Sequence, residues 1–520
     1  MALANFFDKA AMAASQVLSG IDHSSFATAL GAHNIGLAFD DSAAESREGR
    51  YALELSINLL ARLYPSISII PQGLRAEAAV EGLVTVAKAI NPEIEIGAHA
   101  SRATLFLALG VSVITSASPV IYVGSDGWVA RVSTKGPVGS GSTDNPFGAC
   151  AAACFGTANI FRVAFDAYLP AGVPDEELTL SLLDYDPKAA EPANLTLTPV
   201  DLGESYLVGL GAIGSAAVWA LTRTPGLSGV LHLVDGEVVD LSNLQRYVLT
   251  AQKSVNEAKV VIAADQFRGT GIKARAHHER WGDFLGGVSR WNFERVAVAV
   301  DSDGDRIAVQ ASLPRWVINS WTQPGDLGVS RHGFLGEDAC LMCLYLPEGE
   351  GQHLDKVIAE AIGLPEAFME IRTMLHLNQP VGRSLLERAA AAMGVELEPL
   401  LRFENESVRS FYTQAVCGGV VLSLGGSLGG ASKHQMAAAP LAFQSALAGV
   451  MLAAELVIHA GRLRPHPLPV TTKVNLLRPL ASHLSIPARK HPSCRCICQD
   501  EDYKKAYVDK YGATAGQSNP

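Results

Sequence analysis

Positive charge is scarce in this chain. Lysine and arginine number 41 against 52 aspartates and glutamates, a formal net charge of −11. An acidic protein is repelled by phosphate backbones, which excludes nucleic acid as the main partner. Charged residues of both signs make up only 18% of the sequence while 48% is hydrophobic, and mean hydropathy is +0.19; that balance excludes a disordered chain. Cysteine is also sparse. Eight in 520 residues make no disulfide scaffold, and five fall in two tight groups, which points to metal ligation in a reducing compartment. Uninterrupted apolar runs are missing: the longest candidate, 440–460, is broken by Gln444, Ser445 and Glu455 and reads as a buried core helix, not a membrane span. The opening MALANFFDKAAMAASQVL carries Asp8 and Lys9 and reads as a short amphipathic helix instead of a secretory signal. A cytoplasmic protein away from the membrane is expected.

What is abundant is length and glycine, with 48 glycines in 520 residues, enough for two substantial cores in which helices pack closely on sheets. Residues 1–200 alternate short β-rich runs (HNIGLAF, SISII, IEIG, VSVITSA, VIYVG) with helical stretches such as YALELSINLLARLY and AEAAVEGLVTVAKAI. This is the rhythm of a doubly wound sheet, yet the block has no GxGxxG loop. A polar stretch, DYDPKAAEPANLTLTPVDLGE, leads to a second α/β block over 201–346. Residues 347–416 turn helical and charged and read as an insert, and 417–520 complete the second fold and end in a Cys-rich tail. NPFGACAAACFGTANIFRVAF and PLAFQSALAGVMLAAELVIHA, each a Pro followed by a small-residue helix, echo one another and hint at two copies of one fold.

The second block opens on SYLVGLGAIGSAAVWAL: an apolar strand, then Gly209, Gly211 and Gly214, then a helix. The glycines permit a tight turn and close backbone approach, and the helix N-terminus offers free N–H groups to phosphate. The next strand, VLHLVDG, ends in Asp235, where a carboxylate accepts from ribose hydroxyls. These two signals fit NAD as well as ATP, and glycines serving only helix–strand packing are the bland alternative. GEVVDLSNLQRYVL follows directly, and then NEAKV. Here the chain resembles the ThiF/MoeB/ubiquitin-activating superfamily, whose signature is an acid, a SNLxRQ-type segment and a lysine on the following helix. In this sequence these are Asp235, Ser242-Asn243-Leu244-Gln245-Arg246 and Lys259.

The resemblance implies ATP as substrate. A carboxylate attacking the α-phosphate builds charge on phosphorus and on the leaving pyrophosphate, and fixed cations with a metal ion neutralise it. Arg246 and Lys259 match the cations, and Asn243 matches a phosphate-side hydrogen-bonding residue. VAVAVDSDGDRI matches the later strand with its metal-holding acid. Asp301, followed five positions on by Arg306, fits the pattern for Mg2+, whereas Asp303 and Asp305 suit an acidic turn at a strand end. Tyr247 departs from the family, which usually has glutamine there. Arg47 and Arg50 match, loosely, the arginine that a partner adenylation domain lends to ATP.

Cys340-Leu-Met-Cys343 and Cys494-Arg-Cys496-Ile-Cys498 place thiols at two distant points, the arrangement of a closed structural zinc site. Five cysteines for four positions leave one spare, undecided among the last three, and His491 is a possible substitute ligand. Cys417, isolated in FYTQAVCGG after the insert, stands where the resemblance implies a thioester-forming cysteine; a buried structural cysteine suits the position equally. Cys150 and Cys154, four apart in an Ala-rich helix, read as core, as does His232, whereas His277 and His278 read as solvated loop residues.

The expected fold is therefore α/β: two tandem Rossmann-like adenylation folds, the first inactive and the second active, with an inserted helical catalytic-cysteine subdomain. The implied cofactors are ATP, Mg2+ and structural Zn2+. The implied partners are a ubiquitin-like protein and a ubiquitin-conjugating-type enzyme, with the chain acting as a monomeric pseudo-dimer or a homodimer. In length and order it is similar to the activating component of bacterial ubiquitin-like conjugation operons, some of which defend against phage. Two alternatives stand beside thioester transfer: adenylation alone, as in sulfur-carrier activation, and an NAD-dependent oxidoreductase. A relic scaffold is a further one.

Overall fold

A computed structural model describes residues 3–346, 354–377, 379–412, 415, 439–490 and 496–512. They form two compact units. The larger takes in Gly31–Leu346 and the chain from Ala442 on; the smaller takes Asn5–Leu30 with the described part of Pro347–Leu441.

The larger unit holds two sheets. The first comprises β1 (Ile35–Asp40), β2 (Ser66–Gln72), β3 (Glu95–Gly97), β4 (Leu105–Leu109), β5 (Val120–Asp126), β6 (Val129–Ser133) and β7 (Glu177–Ser181), in the order β3-β2-β1-β4-β5-β6-β7. The second comprises β8 (Val200–Val208), β9 (Leu227–Val234), β10 (Ile272–His277), β11 (Arg295–Val298), β12 (Trp316–Thr322), β13 (Leu327–His332), β14 (Thr471–Val474) and β15 (Ser485–Ile486), in the order β10-β9-β8-β11-β12-β13-β14-β15. In both, five strands run parallel and the strands beyond are antiparallel. Strand for strand the order is the same through the seventh.

The Ala-rich echo has a structural counterpart. Helix Phe147–Ala164 lies between β6 and β7, and helix Ala442–Gly461 between β13 and β14, equivalent places in the two sheets. Both are long and apolar enough to span a membrane, and both are buried within the protein. They meet one another, the rings of Phe161 and Phe443 lying 5.6 Å apart. Small residues make such packing possible: a Cβ on Gly449 would lie 2.3 Å from the carbonyl oxygen of Ile213. Glu455 is buried on the second of these helices and accepts bonds from Arg331 of β13 and from Arg464.

Two details differ from the sequence reading. VSVITSA is not a strand; the fourth strand is the preceding LFLAL of β4, and 111–117 leaves its C-terminal end with Val111 and Val113 exposed. β4 is buried at every position, as an inner parallel strand covered on both faces must be. Residues Asn5–Leu30 belong with the helical unit, not with the first sheet. That unit has its own core, built on Ile358, Ile371, Leu386, Met393, Leu400 and Phe411.

Candidate functional site

Chain direction reverses beside β8: the chain leaves it for β9 and β10 on one side and returns to β11 on the other. Such a switch point opens a crevice at the C-terminal strand ends. Val208 pairs with both Val234 of β9 and Val298 of β11, so the segments after these three strands start side by side. They are Gly209–Gly211, Asp235 and Val300–Asp301.

The glycines answer distinct needs. Gly209 takes φ +90°, and a Cβ there would lie 2.6 Å from the carbonyl oxygen of Ala299; one on Gly214 would lie 2.0 Å from that of Gly209. No side chain fits either place. Helix Ala212–Thr222 begins at Gly211 with no side-chain cap, leaving its first N–H groups free for an anion. Asp235 closes the other wall, accepting from the amide of Leu210 at 2.6 Å and from that of Glu237 at 2.8 Å. Burial pushes its carboxyl above the ordinary aspartate value, against the opposing pull of Lys259 and the two amides.

Lys259 opens helix Lys259–Asp265 with its side chain buried. Its Nζ donates to Glu237 Oε2 at 2.5 Å and to the Tyr247 hydroxyl at 3.3 Å. Burial works against the ammonium, but Tyr247, Asp235 and Glu237 outweigh it and hold the pKa above the usual lysine value. Tyr247 itself lies 3.3 Å from where a Gly211 Cβ would stand. Leu210, Val239, Tyr247, Lys259 and Ile262 are among the residues that line a pocket here. The signature segment forms the short turn Leu241–Gln245, in which Asp240 and Asn243 cap one another. Arg246 follows it, half-buried, with its guanidinium 5.7 Å from the Tyr247 ring centre.

Asp301 is exposed beyond β11, and the nearby arginine holds its backbone, not its carboxylate. Arg306 donates to the carbonyls of Val300 at 2.6 Å and Asp301 at 3.3 Å and to Asn319 at 3.1 Å. Asp305 is engaged with Ser302, which caps helix Asp303–Ala311, and Asp303 contacts Arg306. The Asp301 side chain is thus left facing solvent at the switch point, where a carboxylate can hold Mg2+.

The first sheet is built differently at the same place. Asp40 follows Phe39 as Gly209 follows Val208. Its carboxylate accepts from the amides of Ala43 at 3.1 Å and of Val111 and Ser112 at 2.7 Å each. A side-chain anion fills the position that the glycines leave open in the second sheet. Arg47 and Arg50 are exposed on the neighbouring helix Arg47–Ala61; Arg47 pairs with Asp144, and Arg50 bonds the carbonyl of Glu45.

Elsewhere, Cys340, Cys343, Cys496 and Cys498 converge, their sulfurs all within 4.8 Å of one another and neighbours 3.3–3.7 Å apart. Four sulfurs at about 2.3 Å from a tetrahedral zinc ion stand about 3.8 Å apart, so the group fits that metal. Cys494 and His491 lie outside the described residues, as does Cys417. Cys150 and Cys154 are wholly buried, their thiols pushed up by burial. His277 corrects the sequence reading: it ends β10, half-buried, and shares a 2.9 Å hydrogen bond with buried His232.

A profile described as ThiF family matches residues 203–496, more than half of the chain. The chain belongs to the ThiF family. A second profile, described as prokaryotic E2 family C, matches residues 38–166, which sequence reading did not anticipate. Among curated proteins the chain is 47% identical over 512 residues, 98% of each chain, to an uncharacterized protein y4jF of Sinorhizobium fredii. Among solved structures it is similar to PaaA, at 21% identity and TM-score 0.20 over 24% of this chain and 40% of that one. It is also similar to E. coli MccB with ATP, at 13% identity and TM-score 0.33 over 56% of this chain and 65% of that one. The chain thus spans less than two thirds of either solved relative. ThiF members are ATP-dependent adenylating enzymes, which removes the oxidoreductase alternative.

Proposed function

We propose that this protein activates a ubiquitin-like protein by adenylating its C-terminal carboxylate and then passes the acyl group through a thioester to a conjugating enzyme. The observation that carries the adenylation step is the meeting of an uncapped helix N-terminus, Asp235 and buried Lys259 at one strand end. The helix N–H groups and the ammonium suit a polyphosphate, and Asp235 suits ribose. As the substrate carboxylate attacks the α-phosphate, its oxygen bonds phosphorus and the bond to the bridging oxygen breaks, releasing pyrophosphate. Lys259 and Arg246 stabilise the charge that builds on the phosphate oxygens. Asp301 is the residue that would hold Mg2+, which supplies further neutralisation of the leaving group.

The match to a prokaryotic E2 family over 38–166 favours a place in ubiquitin-like conjugation over sulfur-carrier activation. That half offers no accessible thiol among its described residues, since Cys150 and Cys154 are buried; Cys417, which follows the helical insert and lies outside the four-cysteine group, is the proposed thioester residue. The repeated sheet order suits a pseudo-dimer within one chain, alone or as a homodimer.

ATP–pyrophosphate exchange, measured with and without a candidate ubiquitin-like protein, tests the reading. Asp301→Ala is expected to abolish exchange. Cys417→Ala is expected to spare it while losing the adduct that reducing agent releases. Exchange that survives the aspartate change overturns the metal assignment, and an adduct that survives the cysteine change overturns the thioester.

A further inference from the structure

The first sheet has its own carboxylate at the corresponding strand end, yet a residue at the end of one of its helices grips the segment that carries Arg246 and Tyr247. Arg62, just past helix Arg47–Ala61, is fully enclosed and directs every nitrogen of its guanidinium at an oxygen. Nη1 donates to the carbonyl of Leu244, Nη2 to that of Thr250 at 2.9 Å, and Nε to Asn58 Oδ1 at 2.9 Å. Asn58 in turn donates to the carbonyl of Val248 at 3.0 Å. Three carbonyls of 244–250 are therefore gripped from one turn of one helix, on both sides of Arg246 and Tyr247. Tyr247 is held again from within, its carbonyl accepting from the Thr250 amide at 3.0 Å and hydroxyl at 2.8 Å. The Tyr247 hydroxyl is the group that meets Lys259.

Among the described residues no carboxylate pairs with Arg62, and burial alone lowers its pKa to about 9. A charge kept in the core with only neutral oxygens around it is costly. A planar guanidinium presents its donors on three atoms in fixed directions, whereas a lysine ammonium carries its three donors on one atom and cannot span the same fork. Every guanidinium nitrogen is already engaged and the residue is 2% exposed, so Arg62 does not itself reach a nucleotide.

We propose that Arg62, with Asn58, is a positioning residue by which the first fold sets the nucleotide-binding segment 244–250, and through Tyr247 the ammonium of Lys259. The first fold contributes order to the ATP site, not a contact with ATP. The inference rests on the adenylation reading for its consequence but not for its structural content, and two measurements separate them.

Wild type, Arg62→Lys, Arg62→Met and Asn58→Ala are compared by calorimetric titration with Mg·ATP and by amide hydrogen exchange of the ligand-free protein. Arg62→Met is expected to weaken ATP binding about tenfold, the scale of misplacing one charge-assisted contact to the phosphates. It should also speed exchange at 241–254 while β1, β4 and β8 keep their protection. Arg62→Lys falls between, and ethylguanidinium added to Arg62→Ala restores part of the affinity. A folded Arg62→Met that binds ATP within about twofold of wild type, with unchanged exchange at 241–254, overturns the proposal. If wild type binds no ATP, the adenylation reading falls and the exchange pattern alone decides the clamp, unchanged protection overturning it. Should Arg62→Met fail to fold, Asn58→Ala, which removes only the Val248 and Arg62 bonds, carries the same comparison with the same criteria.

Discussion

Lys259 concentrates the chemistry of the site in one side chain. It is buried while its partner Glu237 is largely exposed, with side-chain exposures of 4% and 69%, so the ammonium can exchange an outer carboxylate for a phosphate without leaving its place. Its raised pKa contributes stability that is complete below the ordinary lysine value and lost only as pH rises beyond it; near neutrality the cation is always present. Lys259→Met is expected to cut the adenylation rate about a hundredfold or more, the size of effect seen when one preorganised charge-stabilising donor is removed. Initial rates of pyrophosphate exchange at saturating ATP check it. A rate within about threefold of wild type would show that the ammonium does not face the reacting phosphate. Tyr247 shows how a departure from the family pattern is accommodated: its phenol takes the space beside Gly211 and bonds Lys259.

Two elements are tied down by polar or thiol groups as well as by apolar area. Glu455 of helix Ala442–Gly461 meets the guanidinium groups of Arg331 and Arg464, with Nη2–Oε1 separations of 2.6 and 2.8 Å. Burial raises its carboxyl pKa, but the two arginines more than reverse this and bring it to about 2. The group therefore contributes stability above the unfolded glutamate pKa that is lost as pH falls towards 2. Glu455→Gln leaves two buried cations unmatched and is expected to cost about 3–5 kcal/mol at pH 7. Urea titrations at pH 7 and pH 3 check it: the gap between variant and wild type should narrow at the lower pH. The four-cysteine group joins helix Leu341–Tyr345 to the short turn Ile497–Gln499. One zinc ion per chain is expected by atomic emission, and Cys340→Ser or a strong chelator should remove it and lower the melting temperature.

At the scale of the whole molecule, two sheets share one strand order and one helix placement, and they differ at the end of the central strand: Asp40 in one has its carboxylate held by three backbone amides, whereas the other has Gly209 with φ +90°. The helical unit has a separate core, so unfolding should not be a single two-state event. Scanning calorimetry is expected to resolve two transitions, with only one of them shifting when metal is chelated or Mg·ATP is added. A single transition that moves as a whole would show that the cores melt together.

Much of the site was legible in order along the chain, because the glycine loop, Asp235, the SNLQR segment and Lys259 lie within one βαβ stretch where spacing dictates neighbourhood. The doubled α/β rhythm and the two cysteine groups, one of two and one of three with its spare undecided, were legible for the same reason: periodicity and clustering are local. Tertiary structure decided what depends on chain segments far apart. It brought Cys496 and Cys498 to Cys340 and Cys343, assigned residues 5–30 to the helical unit, and put strand four at the wholly apolar LFLAL, buried on both faces, instead of VSVITSA, whose serines and threonine suit the exposed segment after it. It alone revealed Arg62, an ordinary arginine ending an apolar helix, whose carbonyl partners lie about 180 residues away; hydrogen bonds to backbone leave no side-chain pattern from which to read them.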